Sequence, residues 1–186
     1  MCNVGCISFG DAHLTTAIVG DKLILDVGAS DINGGFRERM MDRGCLAYLG
    51  IDLEPGRSVD QICNVYDLVK TFGSESFDIV ISTEMLEHVE DWETAVRNMK
   101  IVCKRGGYLL LTTRSKGFKY HPYPVDWWRF EIDDMKRLFS DFEVIEITED
   151  PTEDQPGVFV FARKPVEYQF DVNCYSISPY RIEGQS

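Results

Sequence analysis

The chain has 186 residues, a formal net charge of −12 and a sequence pI of about 4.6. That length builds one domain with a full core and is short for two. So acidic a surface repels polyanions and argues against a nucleic-acid partner. No apolar run reaches the ~20 residues of a membrane span, so no membrane association is expected.

The opening residues, MCNVGCISFGDAHL, carry neither a basic region nor the long apolar stretch of a secretory signal. The six cysteines form no C-x-x-C pair, and three sit in apolar runs. Buried thiols in a reducing, cytoplasmic setting are expected. With three histidines in all, no metal site is expected.

In chain order, residues 1–20 read as a mixed segment with a short helix near Ala12–Val19. Lys22–Val27 is the first strand, its Leu-Ile-Leu run buried on both faces as a central parallel strand would be. A turn follows, and then a helix over Gly34–Arg43 with Phe36 and Met40 on one face. Cys45–Asp52 is a second strand ending in an acid. Val59–Asn64 is a weaker third, Asp67–Phe72 a helical turn, and Phe77–Ser82 a fourth, buried strand. Asp91 caps a helix in which Trp92, Ala95, Val96, Met99, Val102 and Cys103 repeat at helical spacing. Gly106-Gly107 breaks it, and Tyr108–Thr113 is the fifth strand. Arg114–Phe130 reads as a long loop and Glu131–Ser140 as a helix. Phe142–Thr148 and Val158–Arg163, joined by too short a link for a helix, form an antiparallel hairpin. Residues 165–186 show no period and are expected to pack as an arm or to lack order.

Strands alternating with helices give a mostly parallel sheet covered on both faces, with ligands at the carboxyl ends of its strands. Asp26, Asp52, Asn64 and Thr83 are therefore expected to converge. The stretch LILDVGASDINGG is a strand, a Gly-rich turn and a helix start, the local recipe for holding a nucleotide-like ligand on backbone N–H groups. Ser30 and Asn33 occupy the second and third glycine positions of the dinucleotide fingerprint, which argues against a nicotinamide or flavin.

The blocks LILDVGAS, YLGIDLEPG, ICNVYDL and SFDIVISTEMLEHVEDWETAVRNMKIVCKRGGYLLLTTRS, in that order, resemble the class I S-adenosylmethionine-dependent methyltransferases of the small-molecule type with an LEH helix start. The resemblance covers Leu23 to about Lys164. It implies a three-layer Rossmann-like α/β sandwich, a mostly parallel seven-stranded sheet with an antiparallel terminal strand hairpin. Three parts are expected: residues 1–21 as a lid or packing helix, 22–164 as the S-adenosylmethionine-binding domain that the resemblance implies, and 165–186 as a C-terminal arm.

Carried over by position, the resemblance puts Asp26, Gly28, Ala29 and Ser30 beside the methionine part of the cofactor. Asp52, with Leu53 next to it, takes the ribose hydroxyls. Asn64 and the Val65 N–H meet the adenine, and Thr83 lies near the methionine amino group. Ser30 and Ile32 stand where the family often has glycine, and Asn64 replaces a frequent acid. The chemistry of the residues agrees, since a ribose diol wants a carboxylate acceptor and an adenine amino group wants a carbonyl.

Methyl transfer from a sulfonium needs alignment first and, for a hydroxyl or amine, a base. His88, just past the fourth strand, and His121 in YHPYPVDWWRF are the two candidates; a structural role for His88 at the helix start is an equal alternative. The second block also resembles the family's loop after the fifth strand in variants linked to sugar methylation. Glu87, Arg114, Tyr123, Trp127 and Arg129 are the candidate acceptor-side residues. Clusters like Trp127-Trp128-Arg129-Phe130 are more often core packing with one ion pair, here to Asp126. The expected activity is methylation of oxygen or nitrogen on a small molecule or glycan moiety. RNA or protein methylation and a non-catalytic cofactor-binding role are the alternatives, and a homodimer is left open.

Overall fold

The computed structural model describes residues 3–31, 34–121 and 125–182. Its strands are β1 Leu23–Val27, β2 Ala47–Asp52, β3 Gln61–Ile62, β4 Phe77–Thr83, β5 Cys103–Arg114, β6 Trp128–Arg129, β7 Glu143–Glu149, β8 Gly157–Arg163 and β9 Tyr180–Arg181. Its helices are α1 Val4–His13, α2 Thr16–Val19, α3 Arg37–Asp42, α4 Leu68–Phe72, α5 Trp92–Val102 and α6 Ile132–Leu138. Seven strands make one sheet in the order β3-β2-β1-β4-β5-β8-β7. The first five are parallel. β8 runs antiparallel to both β5 and β7, which is the expected hairpin.

The period of two along each buried strand divides the core between the two faces. Leu25, Val27, Val80, Leu109, Leu111, Val158 and Val160 pack with Trp92, Val96 and Met99 of α5 and with Met135 and Leu138 of α6. On the other face Ile24, Ile79, Ile81, Leu110, Phe159 and Phe161 pack with Cys6 and Phe9 of α1, with Leu14 and Val19, and with Phe36 and Met40. Asp91 caps α5 as expected, its carboxylate accepting the Thr94 N–H at 3.0 Å.

Three elements differ from the sequence expectation. The N-terminal helix lies at Val4–His13, capped by Asn3, rather than at 12–19, where only α2 stands. Its buried face is Gly5, Cys6, Phe9 and Gly10, too small and too neutral to register as an apolar stripe. Small size is required there, because a Cβ on Gly10 would lie 2.2 Å from the Phe36 ring. Secondly, β5 starts at Cys103 and runs through Gly106-Gly107. Gly107 passes so close to β4 that a Cβ would meet the Asp78 carbonyl oxygen at 2.6 Å. Thirdly, the loop after β5 is not free of regular structure. Its β6 pairs with β9, Trp128 opposite Arg181 and Arg129 opposite Tyr180, which ties the C-terminal arm to that loop.

The arm is held from below as well. Lys100 is buried and donates to the Asp141 carboxylate at 2.6 Å and the Leu138 carbonyl at 2.5 Å. The rings of Phe139, Phe142 and Tyr175 surround its ammonium at 5.1–5.3 Å. Tyr168 of the arm donates its hydroxyl to the same Asp141 at 2.7 Å.

Candidate active site

The turn after β1 is fixed by β2. Gly28 and Ala29 both donate their N–H to the Ile51 carbonyl at 2.9 Å. Gly28 has φ +82°, and a Cβ there would lie 2.6 Å from Met85, so glycine is needed on two counts. Ser30 donates its N–H to the Asp52 carboxylate at 3.0 Å, and Leu53 donates to the other oxygen of the same group at 2.7 Å. Asp52 is thus aimed by backbone at the mouth of the turn and keeps lone pairs for further donors. The bulk of Ser30, where the family often has glycine, is met by Gly56: a Cβ on Gly56 would lie 2.6 Å from Ser30 Oγ. Ile32 and Asn33 lie outside the described residues.

Asp26 is buried in β1, and its carboxylate accepts the Tyr48 hydroxyl through Oδ2 while Oδ1 has no hydrogen-bond partner among the described residues. Burial pushes its carboxyl up from 3.8 to about 6, against the Tyr48 hydrogen bond and the Arg37 charge. Asn64 follows β3 and uses its side-chain carbonyl to cap the next turn, accepting the Tyr66 N–H at 3.0 Å. Val65 is buried, and Asn98 of α5 donates to the carbonyls of Val65 and Tyr66 at 3.0 and 2.9 Å. Thr83 is buried at the end of β4.

Past Thr83 the backbone turns sharply. Glu84 has φ +54° and is buried against Arg114, with its Oε1 accepting the Thr112 hydroxyl at 2.9 Å. Burial and the neighbouring Glu87 charge push its carboxyl up, while Arg114 opposes them. Leu86–His88, the LEH segment, forms a 3-10 turn rather than the start of a helix. Glu87 is fully buried and accepts the Thr113 hydroxyl at 2.9 Å. His88 Nδ1 lies 2.6 Å from the Val125 carbonyl oxygen. His121 Nδ1 lies 3.0 Å from Asp126 Oδ2. The two imidazole rings meet edge to face with centroids 4.6 Å apart. Burial lowers the His88 pKa, against the Glu87 charge and the Val125 hydrogen bond.

The structure therefore brings His88, His121 and Glu87 into one cluster. Arg114 and Arg129, expected on the acceptor side, are both turned inward. Arg114 is 3 % exposed and is taken by Glu84 and by Asp150 at 3.4 Å. Arg129 is also 3 % exposed and forks onto Asp126 at 2.5 and 2.6 Å. Burial opposes the charge on Asp126, but the bonds from Arg129 and His121 hold its carboxyl well below the usual carboxylate range. Trp127 donates its N–H to the Glu87 carbonyl at 2.7 Å and lies under the Arg181 guanidinium. Tyr123 lies outside the described residues. A cavity of about 360 Å³ opens beside the cluster, lined by Lys116, Phe118, Tyr120, Arg129 and Tyr180 among others. It adjoins His121 through Phe118, whose ring stands 5.1 Å from the imidazole.

The sequence reading passed over Glu84, Tyr66, Asn98 and Met85. None of these carries a local signal, because each acts through a neighbour that is distant in sequence.

The strand order, the reversed hairpin and the Gly-rich turn facing Asp52 are those of the Rossmann-like methyltransferase fold. Residues 25–111 match the family described as a methyltransferase domain. Among curated proteins, the ubiquinone biosynthesis O-methyltransferase of Idiomarina loihiensis is 31% identical over 126 residues, 61% of this chain and 50% of that protein. The protein of the same name from Ralstonia nicotianae is 30% identical over 141 residues, 69% and 58% of the two chains. The chain thus spans about half the length of the curated relatives it matches. Among solved structures, an S-adenosylmethionine-dependent methyltransferase from Mesorhizobium loti superposes with a TM-score of 0.61 at 19% identity, covering 79% of this chain and 93% of that one. The 1,6-didemethyltoxoflavin-N1-methyltransferase of Burkholderia thailandensis, with 1,6-didemethyltoxoflavin and S-adenosylhomocysteine bound, gives 0.65 at 16% identity, over 87% and 77%. Among the described residues no helix is long and apolar enough to cross a membrane.

Proposed function

We propose that the chain transfers the methyl group of S-adenosylmethionine to a hydroxyl oxygen of a small molecule. The observation that carries this reading is the Asp52 carboxylate, held open to the turn after β1 by the N–H groups of Ser30 and Leu53. A ribose offers two O–H donors, and such a carboxylate accepts both. Gly28 and Ala29 let the methionine part approach the backbone. Asp26 offers negative charge to its ammonium and sulfonium, Val65 offers its N–H to the adenine, and Asn64 has a second lone pair on the carbonyl that caps its turn. Thr83 sits where the amino acid end would pass.

On this reading the acceptor lies over Glu87, His88 and His121, with its remote part toward Trp127 and the cavity at Phe118 and Tyr120. Each imidazole has Nδ1 engaged, which leaves Nε2 to take a proton. The acceptor oxygen forms its bond to the methyl carbon as the carbon–sulfur pair returns to sulfur. The hydroxyl proton passes to an imidazole and then to solvent. The relatives named for O-methylation favour oxygen over nitrogen and a small molecule over RNA or protein.

Calorimetry with S-adenosylmethionine, S-adenosylhomocysteine and NAD tests the cofactor half. Both sulfur ligands should bind and NAD should not; absence of both, in a folded protein, ends the reading. A panel of phenols, diols and sugars with a methyl-labelled donor then tests the acceptor half. Label found only in RNA or protein would overturn it.

A further inference from the structure

Three side chains above the end of β4 present ligand atoms to a common point. Glu87, His88 and His121 each offer one, all within 4.8 Å of one another. They come from two segments of chain, the turn after β4 and the loop after β5, more than thirty residues apart. Each is already oriented by a partner behind it. A ring nitrogen that faces a carbonyl oxygen must carry the proton, so His88 has N–H at Nδ1 and its lone pair at Nε2. His121 is set the same way by Asp126, and Asp126 is itself pinned by the two bonds from Arg129. An imidazole whose far nitrogen donates to a carbonyl or a carboxylate is the arrangement that orients histidines toward metal ions. Glu87 supplies an independent sign. Its Oε2 takes the Thr113 hydroxyl, but Oε1 is fully buried with no hydrogen-bond partner among the described residues. A buried carboxylate oxygen without a donor is costly, and a cation removes that cost.

We propose that Glu87, His88 and His121 bind one divalent transition-metal ion. Two imidazoles and one carboxylate suit zinc, cobalt or nickel, whereas magnesium and calcium prefer oxygen alone. Two other buried carboxylates are outside the set: Glu84 because Arg114 and Thr112 hold it, and Asp126 because Arg129 and His121 hold it. With metal–ligand bonds of about 2.1 Å, neighbouring ligand atoms sit roughly 3.4 Å apart, so the three side chains draw in around the ion. Three protein ligands leave an open position. Resting on the methyl-transfer reading, that position takes the acceptor's hydroxyl oxygen and lowers its pKa. The proton then leaves to solvent before the oxygen forms its bond to the methyl carbon; with the ion bound, the metal takes over the activation of the hydroxyl that the imidazoles supply without it, and both imidazoles serve as its ligands.

The test uses the full chain, stripped with a chelator and dialysed, with S-adenosylhomocysteine binding followed in parallel. Zinc is titrated by calorimetry against magnesium, and cobalt by its visible absorption. One zinc or cobalt per chain is expected, with a nitrogen–oxygen ligand-field spectrum and magnesium at least 100-fold weaker. His121→Ala and Glu87→Gln should each weaken zinc by 100-fold or more. Asp126 orients His121 and also holds Arg129, so Asp126→Asn should weaken zinc about 10- to 100-fold in a chain that unfolding shows to be intact. Should Glu87→Gln fail to fold, the half-buried His121 still decides. A chain that takes up no stoichiometric zinc or cobalt overturns the proposal. So does uptake that both variants leave unchanged, or a thiolate charge-transfer band, which would move the metal to cysteine. Zinc uptake lost with these variants in a chain that fails to bind S-adenosylhomocysteine would uphold the metal site and sink the methyl-transfer reading instead.

Discussion

Ser30 donates its backbone N–H to the Asp52 carboxylate at 3.0 Å, which locks the turn after β1 to the end of β2. The carboxylate joins two strand ends and, in the proposed function, is the acceptor that faces the ribose. Asp52→Ala should therefore weaken S-adenosylhomocysteine by about 10- to 150-fold, since a hydrogen bond to a charged group is worth roughly 1.5–3 kcal/mol. Asp52→Asn keeps the shape and one acceptor and should fall between. Calorimetry on all three proteins checks the order; equal affinities would remove Asp52 from the ribose.

Gly28 carries two constraints at once, a φ of +82° and the Met85 side chain 2.6 Å from where a Cβ would stand. Gly28→Ala is expected to cost on the order of 1–3 kcal/mol in stability and to weaken the cofactor. Adding Met85→Ala relieves the contact but not the backbone, so it should recover part of the loss. Denaturant unfolding of the single and double variants separates the two contributions. Full recovery would mean that only the contact mattered.

Most of the sheet was legible because buried parallel strands write themselves as apolar runs: LILDV, FDIVIS and YLLLTT needed no context. Asp26, Asp52 and Thr83 were legible as strand-end residues for the same reason. The N-terminal helix was not, because its buried face is glycine and cysteine and its partner, Phe36, lies far along the chain. Nor was the pairing of β6 with β9, two residues on each side, which no periodicity can announce. Arg114 and Arg129 illustrate the harder failure. An arginine in an aromatic loop reads alike whether it faces a ligand or a buried carboxylate, and only the fold supplies Glu84 and Asp126.

The Lys100–Asp141 pair is almost wholly buried, and it holds α5 to the end of α6 under the C-terminal arm. Lys100→Met leaves the Asp141 charge without its cation and should cost about 3–5 kcal/mol. The double variant Lys100→Met/Asp141→Leu removes both charges and should regain most of that. Thermal unfolding distinguishes the cases. A double variant as unstable as the single would mean that packing around the lysine stem, rather than the charge, is what matters.

Asp26 links stability to pH. Its carboxyl rises from 3.8 to about 6 on folding, chiefly through burial, so the native chain holds this proton more firmly than the unfolded one. Between those values the folded state binds more protons, and stability falls as pH rises, with the full cost present above about 6. At about 1.4 kcal/mol per pH unit the cost is on the order of 3 kcal/mol. Asp26→Asn removes the charge and keeps a side chain of the same shape. Without ligand, the variant should equal the parent near pH 4 and be the more stable of the two at pH 7.5. With S-adenosylmethionine the order should reverse if the ionised carboxylate meets, as proposed, a ligand carrying an ammonium and a sulfonium. Unfolding free energies of both proteins across pH 4–8, with and without the cofactor, measure this directly. A stability difference that does not change with pH would show that Asp26 is not the titrating group. An Asp26→Asn variant that binds the cofactor as tightly as the parent would show that its buried charge serves something other than the methionine end.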